Sequence, residues 1–182
     1  MHRKYIITGG PCTGKTTLIG ELRRLGYPCY DEIARQVILE QKAAGSDIVP
    51  WLNLEKFSGE VLRKMLDQYA GPSAEGDIRF CDRGIPDIIA YLRTSGLPVH
   101  PDYLEHVSRV NYHRLVFIAP PWREIYCLDE ARTEDFETSA RLYTFLQQVY
   151  TEQGFVITEI PRLELKERTA FILRTIKEYN AH

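Results

Sequence analysis

Residues 6–17 read IITGGPCTGKTT, an apolar run that passes into a glycine-rich turn and then into a helix-favouring pattern. Gly9, Gly14, Lys15 and Thr16 fit G-x-x-x-x-G-K-[ST], and the pattern acquires its meaning from being placed between a strand and a helix, as it is here. Glycines let the backbone turn tightly enough for successive N–H groups to converge on phosphate oxygens. The helix that follows adds the positive end of its dipole. Gly10, Pro11, Cys12, Thr13, Gly14, Lys15, Thr16 and Thr17 are therefore the expected cradle for a nucleotide. Lys15 is placed to reach the β- and γ-phosphates, the Thr16 hydroxyl to ligate Mg²⁺, and Thr17 to touch the α-phosphate. Cys12 is read as a small loop residue whose backbone matters, rather than as a redox thiol.

The rest of the chain is consistent with one α/β domain over residues 1–182. Apolar runs at Tyr5–Ile7, Ile78–Cys81, Leu115–Ala119 and Phe155–Ile157 lack period-two alternation, which suits strands buried on both faces of a parallel sheet. Pro28-Cys29-Tyr30 is a shorter, edge-like fifth. Helical stripes separate the runs. Leu18, Leu22 and Leu25 end at Gly26; Ile33, Val37 and Ile38 lie in a helix from about Asp31 to Ala44; Leu54 to Tyr69 form another. Pro86 and Pro101 open two more, Phe136 to Tyr150 precede Gly154, and a last helix follows Pro161. Strand and helix in alternation imply right-handed crossovers and a three-layer α/β/α sandwich with a mainly parallel sheet of about five strands. Ligands of such a sheet collect at the carboxyl ends of the strands.

Composition removes other classes. The net charge of −2 carries no basic excess of the kind that marks nucleic-acid binding. The four cysteines lack C-x-x-C pairing, the five histidines lack metal-ligand spacing, and no apolar run approaches a membrane span. Reduced thiols and a cytoplasmic location are the expectation.

Two further stretches carry chemistry. In YDEIARQVI, residues 30–38, Asp31 and Glu32 follow the weak second strand, where small kinases of this loop type present a carboxylate to the phosphate acceptor. Arg35 lies one helical turn from Glu32, so the two can point the same way; the bland alternative is an acidic helix start with an i,i+3 partner. In FCDRGIPDIIAYL, residues 80–92, Asp82 ends a buried strand and can hold the water shell of Mg²⁺, while Arg83 can grip an anionic substrate or orient the acid. Asp87 lies one turn further on. Capping of the following helix is the structural alternative for Asp82. No N-K-x-D, no D-x-x-G and no transporter signature occurs, which argues against signalling GTPases and transporter ATPases.

GGPCTGKTTL, DEIARQVI and DRGIPDIIAYL, followed by PPW, resemble the small P-loop ATPase and kinase domains, AAA-type in name, related to the ribosylnicotinamide kinase domain of NadR. The resemblance runs through nearly the whole chain in order and carries no expectation of an adenylyltransferase or DNA-binding role. It implies an arginine-bearing lid over about residues 120–136, with Arg123 and Arg132 closing on the transferred phosphoryl group and Trp122 and Tyr126 placed to stack on a ring or to pack beneath the lid. The resulting expectation is an ATP- and Mg²⁺-dependent phosphotransferase. Lys15, Glu32, Asp82, Arg83, Arg123 and Arg132 are its catalytic candidates. Asp31, Glu32, Arg35, Arg83 and Asp87 would bind a small hydroxyl-bearing acceptor, with nucleoside-like molecules among the candidates, and Thr16 and Asp82 would hold the metal. A nucleotide-dependent switch acting through a partner and a slow NTPase whose acceptor is water stay open, as does GTP in place of ATP. So does a homodimer.

Overall fold

The computed structural model describes residues 4–70, 77–126 and 135–181. Five parallel strands, β1 (Lys4–Gly9), β2 (Cys29–Tyr30), β3 (Arg79–Asp82), β4 (Tyr112–Ala119) and β5 (Val156–Glu159), form one sheet in the order β2-β3-β1-β4-β5. The helices among these residues are α1 (Lys15–Arg24), α2 (Ile33–Ala43), α3 (Leu54–Ala70), α4 (Ile85–Thr94), α5 (Pro101–Arg109), α6 (Phe136–Glu152) and α7 (Leu165–Tyr179), with a 3₁₀ turn at Arg123–Ile125.

Period-two alternation along each strand sends neighbouring side chains to opposite layers. Ile6, Cys81, Val116 and Ile118 pack with α2 to α6 on one face, while Tyr5, Ile7, Phe80, Leu115 and Phe117 pack with α1 and α7 on the other. Both sets are buried, and so the strands read as continuous apolar runs.

The helix ends obey local chemistry. Gly26 at φ +91° follows α1, with its N–H on the carbonyl of Arg23 and that of Tyr27 on Leu22, so the expected glycine stop is real. Gly154 closes α6 in the same manner. Helix α2 starts two residues later than Asp31, with Glu32 in the extended conformation at its N-cap. Helix α4 starts at Ile85 rather than Pro86: Gly84 occupies the N-cap, and its N–H donates to the Asp87 carboxylate at 2.9 Å. Asp87 therefore caps α4, and Asp82 does not.

Register places the site. Ile7 of β1 lies beside Asp82 of β3, and the Arg83 N–H donates to the Ile7 carbonyl at 3.0 Å. The loop after β1 and the acids after β3 thus emerge side by side at the carboxyl edge of the sheet.

Candidate active site

Loop 10–14 leaves β1 through backbone conformations that only some residues tolerate. Cys12 has φ +56° and Gly14 φ +76°, so Cys12 serves the loop through its backbone while its side chain is buried. A Cβ on Gly9, at φ +137°, would lie 2.4 Å from the Ala119 carbonyl oxygen. One on Gly10 would lie 2.4 Å from Ser139 Oγ. The loop is consequently wedged between β4 and α6, and Pro11 to Thr17 line the crevice.

Lys15 is buried and folded back on its own loop: Nζ donates to the Gly10 carbonyl at 2.5 Å and to Thr13 Oγ1 at 3.2 Å. Burial, aided by the nearby Arg83 cation, lowers its pKa to about 8. Thr16 and Thr17 are exposed, with hydroxyls available at the start of α1.

Opposite the loop, Arg83 is buried at φ +73° and holds three partners. Its Nε donates to Glu32 Oε1 at 2.8 Å, and one terminal nitrogen donates to the Gly9 carbonyl at 3.0 Å and to Asp87 Oδ1 at 3.3 Å. Burial opposes the charge, but Tyr91, Glu32, Asp87 and Asp82 outweigh it and keep the guanidinium protonated. Asp87 is saturated in turn. Thr8 donates to its Oδ1 and Tyr150 to its Oδ2, each at 2.6 Å, in addition to the Gly84 N–H. A carboxylate so occupied holds Arg83 in place and has no lone pair to spare for a substrate.

Asp82 differs. It is buried, and its Oδ1 has no hydrogen-bond partner among the described residues. Burial first, and the neighbouring Glu32 second, raise its pKa to about 6. An orphaned buried carboxylate oxygen next to a phosphate loop suits a hydrated cation, and with Thr16 it makes a donor set of the kind Mg²⁺ prefers. Among the described residues no three His, Cys, Asp or Glu side chains cluster as a metal site.

Loop, acids and Arg83 line one cavity of about 770 Å³. Arg35, exposed, stands on its wall. Asp31 does not: it pairs outward with Arg23 at 2.5 Å. Arg123 also lies off the wall, 4.1 Å above the Phe136 ring and 3.0 Å from Glu137. Arg132 lies outside the described residues, as does the middle of the expected lid, residues 127–134. Trp122 lines the cavity, whereas Tyr126 packs edge-on against Phe136.

Sequence reasoning missed Arg168. This buried side chain from the first turn of α7 donates to the Thr13 carbonyl at 3.0 Å and sits 5.7 Å from the centre of the Trp122 ring, and its Nε has no hydrogen-bond partner among the described residues. The signal was present: Arg168 falls on the buried stripe of α7, three residues after Leu165 and four before Ile172. Asp87 and Tyr150 lie on apolar helical faces in the same way.

A family model described as an AAA domain matches residues 4–168. Among solved structures, a deoxyadenosine kinase from M. mycoides, with products dCMP and a flexible dCDP bound, superposes with a TM-score of 0.67 at 15% identity, covering 97% of this chain and 99% of that one. The same kinase with bound dATP gives 0.62 at 16% identity, covering 97% and 100%. The NadR protein in complex with NR gives 0.67 at 21% identity, covering 98% of this chain but 51% of NadR, so the chain spans about half of that protein. No curated protein sequence matches the chain. These likenesses establish the three-layer P-loop fold.

Proposed function

The chain belongs to the AAA-domain family whose model it matches, and from that premise we propose that it is a P-loop phosphotransferase carrying the terminal phosphoryl group of ATP to the hydroxyl of a small molecule. One observation carries this reading: the cavity does not stop at the phosphate loop but continues past Glu32 and Arg83 into a chamber walled by α2, α3 and α4. A hydrolase needs room for water there, and a switch needs none. The kinase folds around dATP and NR in the similar structures support the same choice.

In this reading the loop N–H groups and Lys15 take the phosphates, with Lys15 exchanging the Gly10 carbonyl for phosphate oxygen. Mg²⁺ held by Thr16 and Asp82 would supply charge neutralisation on the phosphates. Glu32, steadied by Arg83, accepts the hydrogen bond of the acceptor hydroxyl and orients its oxygen towards the γ-phosphorus. A new O–P bond forms, the bond between the γ-phosphorus and the β,γ-bridging oxygen breaks, and the hydroxyl proton passes to Glu32 and on to solvent. ADP and a phosphate monoester result. Arg83, fixed by Asp87 and Gly9, lies ready to offset charge on the transferred group, and positioning does most of the work. Arg35 flanks the acceptor.

Labelled ATP with a panel of small alcohols and nucleosides tests the proposal. Release of ADP should depend on the acceptor and vanish in Lys15→Ala. Equal ADP release without acceptor would make the protein a hydrolase, and nucleotide-dependent capture of a partner without turnover would make it a switch.

A further inference from the structure

The two ends of the cavity differ in chemistry. At the nucleotide end stand the loop amides, Lys15, Thr16, Asp82 and Arg168. At the other end, Ile38, Phe57, Val61, Met65 and Ile88 form a buried apolar floor, with Trp51 at the rim. The polar side chains on that wall are few: Ser58, Tyr91 and Ser95, with Arg35 at its edge. Among the described residues that line the cavity there is no Asn, Gln or His, side chains that carry a donor and an acceptor together and so suit a planar donor–acceptor edge. Asp87, the buried carboxylate on this side, is already engaged by Thr8, Tyr150, Gly84 and Arg83, which leaves Glu32 as the carboxylate that faces the acceptor.

A nucleobase carries several ring and exocyclic polar atoms. Each one buried without a partner costs roughly fivefold or more in affinity, and a pocket that selects such a ring supplies matching groups. This chamber supplies apolar surface instead, including the rings of Trp51, Phe57 and Tyr91. Resting on the phosphotransferase reading for its reaction, we infer that the acceptor is a primary alcohol borne on an apolar, ring- or chain-like body, which the chamber buries while its hydroxyl points at Glu32. The transfer is the one already written: the alcohol oxygen gains the phosphoryl group, ADP leaves and the proton goes to solvent. Nucleosides and polyols are poor acceptors.

Trp51 gives the inference a test that the fold survives, because this residue is 45% exposed and its ring otherwise meets Lys42 at 5.4 Å. The whole chain is assayed with γ-labelled ATP and Mg²⁺ against 2-phenylethanol, pyridylmethanol and a prenyl alcohol, then against adenosine, uridine, nicotinamide riboside and glycerol. The apolar alcohols should exceed the nucleosides and glycerol in kcat/KM by at least about tenfold, and Trp51→Ala should raise their KM by about tenfold. Preference for nucleosides or glycerol would overturn the inference and leave the kinase reading standing. If no acceptor is phosphorylated, the kinase reading fails and calorimetry decides the chamber alone. Saturable binding of 2-phenylethanol, weakened in Trp51→Ala, upholds its chemistry, and no saturable binding overturns it.

Discussion

Arg83 Nε donates to Glu32 Oε1 at 2.8 Å, joining the residue that follows β3 to the residue that opens α2 across 51 positions of sequence. Both terminal contacts of the same guanidinium run to Gly9 and Asp87, so one planar fork ties the start of the phosphate loop, the proposed acceptor acid and the cap of α4. Lysine offers one nitrogen where arginine offers a fork. Arg83→Lys should reduce kcat by about 100-fold with a smaller effect on KM for ATP, measured by steady-state kinetics. An unchanged kcat would mean that the fork holds structure only.

The charged groups of the phosphate site set a pH window. Asp82 titrates at about 6, raised by burial and Glu32, and Lys15 at about 8, lowered by burial and Arg83. In the ligand-free protein both are charged only between those values. The kcat/KM for ATP should therefore form a bell with limbs near 6 and 8. The stability signs follow. A carboxyl raised on folding favours the fold below the unfolded value, and that contribution is lost as pH rises through 6. A lowered amine favours the fold above its unfolded value, and that is lost as pH falls through 8. At neutral pH both charges strain the ligand-free protein. Asp82→Asn should raise its melting temperature by a few degrees while abolishing turnover. A lower melting temperature would contradict this.

The loop glycines separate by neighbour. Gly9→Ala would press a Cβ into a backbone carbonyl at a positive φ, and no side-chain change can relieve it. A loss of about 2 kcal/mol or more in denaturant unfolding is expected. Gly10→Ala meets a serine hydroxyl whose own Oγ has no partner among the described residues. Ser139→Ala should be close to neutral alone and should restore nucleotide binding to Gly10→Ala.

Arg168→Met keeps the apolar stem but loses the donor to Thr13 and the cation over Trp122. Nucleotide affinity should fall roughly tenfold by calorimetry, with the melting temperature within a few degrees of wild type, because burial already lowers the pKa of this desolvated guanidinium.

The fold was legible because its signals are local. Unbroken apolar runs, helical stripes and glycine stops need no knowledge of tertiary contacts, and even the two-residue strand at Cys29–Tyr30 stands at the sheet edge where its brevity put it. The phosphate loop was legible for the same reason. What could not be read were partnerships across the chain. Helical spacing pairs Glu32 with Arg35, and nothing local announces the hydrogen bond that Arg83 brings to Glu32 from 51 positions away. Asp31 was placed beside Glu32 as an acceptor ligand, yet α2 turns it out to Arg23. Asp87 looks like another site acid until Thr8 and Tyr150, brought in by β1 and α6, are seen to occupy both of its oxygens. Each of these pairings depends on the order in which strands and helices assemble.

The most direct measurement is the behaviour of Glu32→Gln, which keeps the size of the side chain and removes its charge. Calorimetry with ATP and Mg²⁺ should give an affinity within a few-fold of wild type, while acceptor-dependent ADP formation should fall by about 100-fold or more. Full turnover with acceptor in Glu32→Gln would contradict the account.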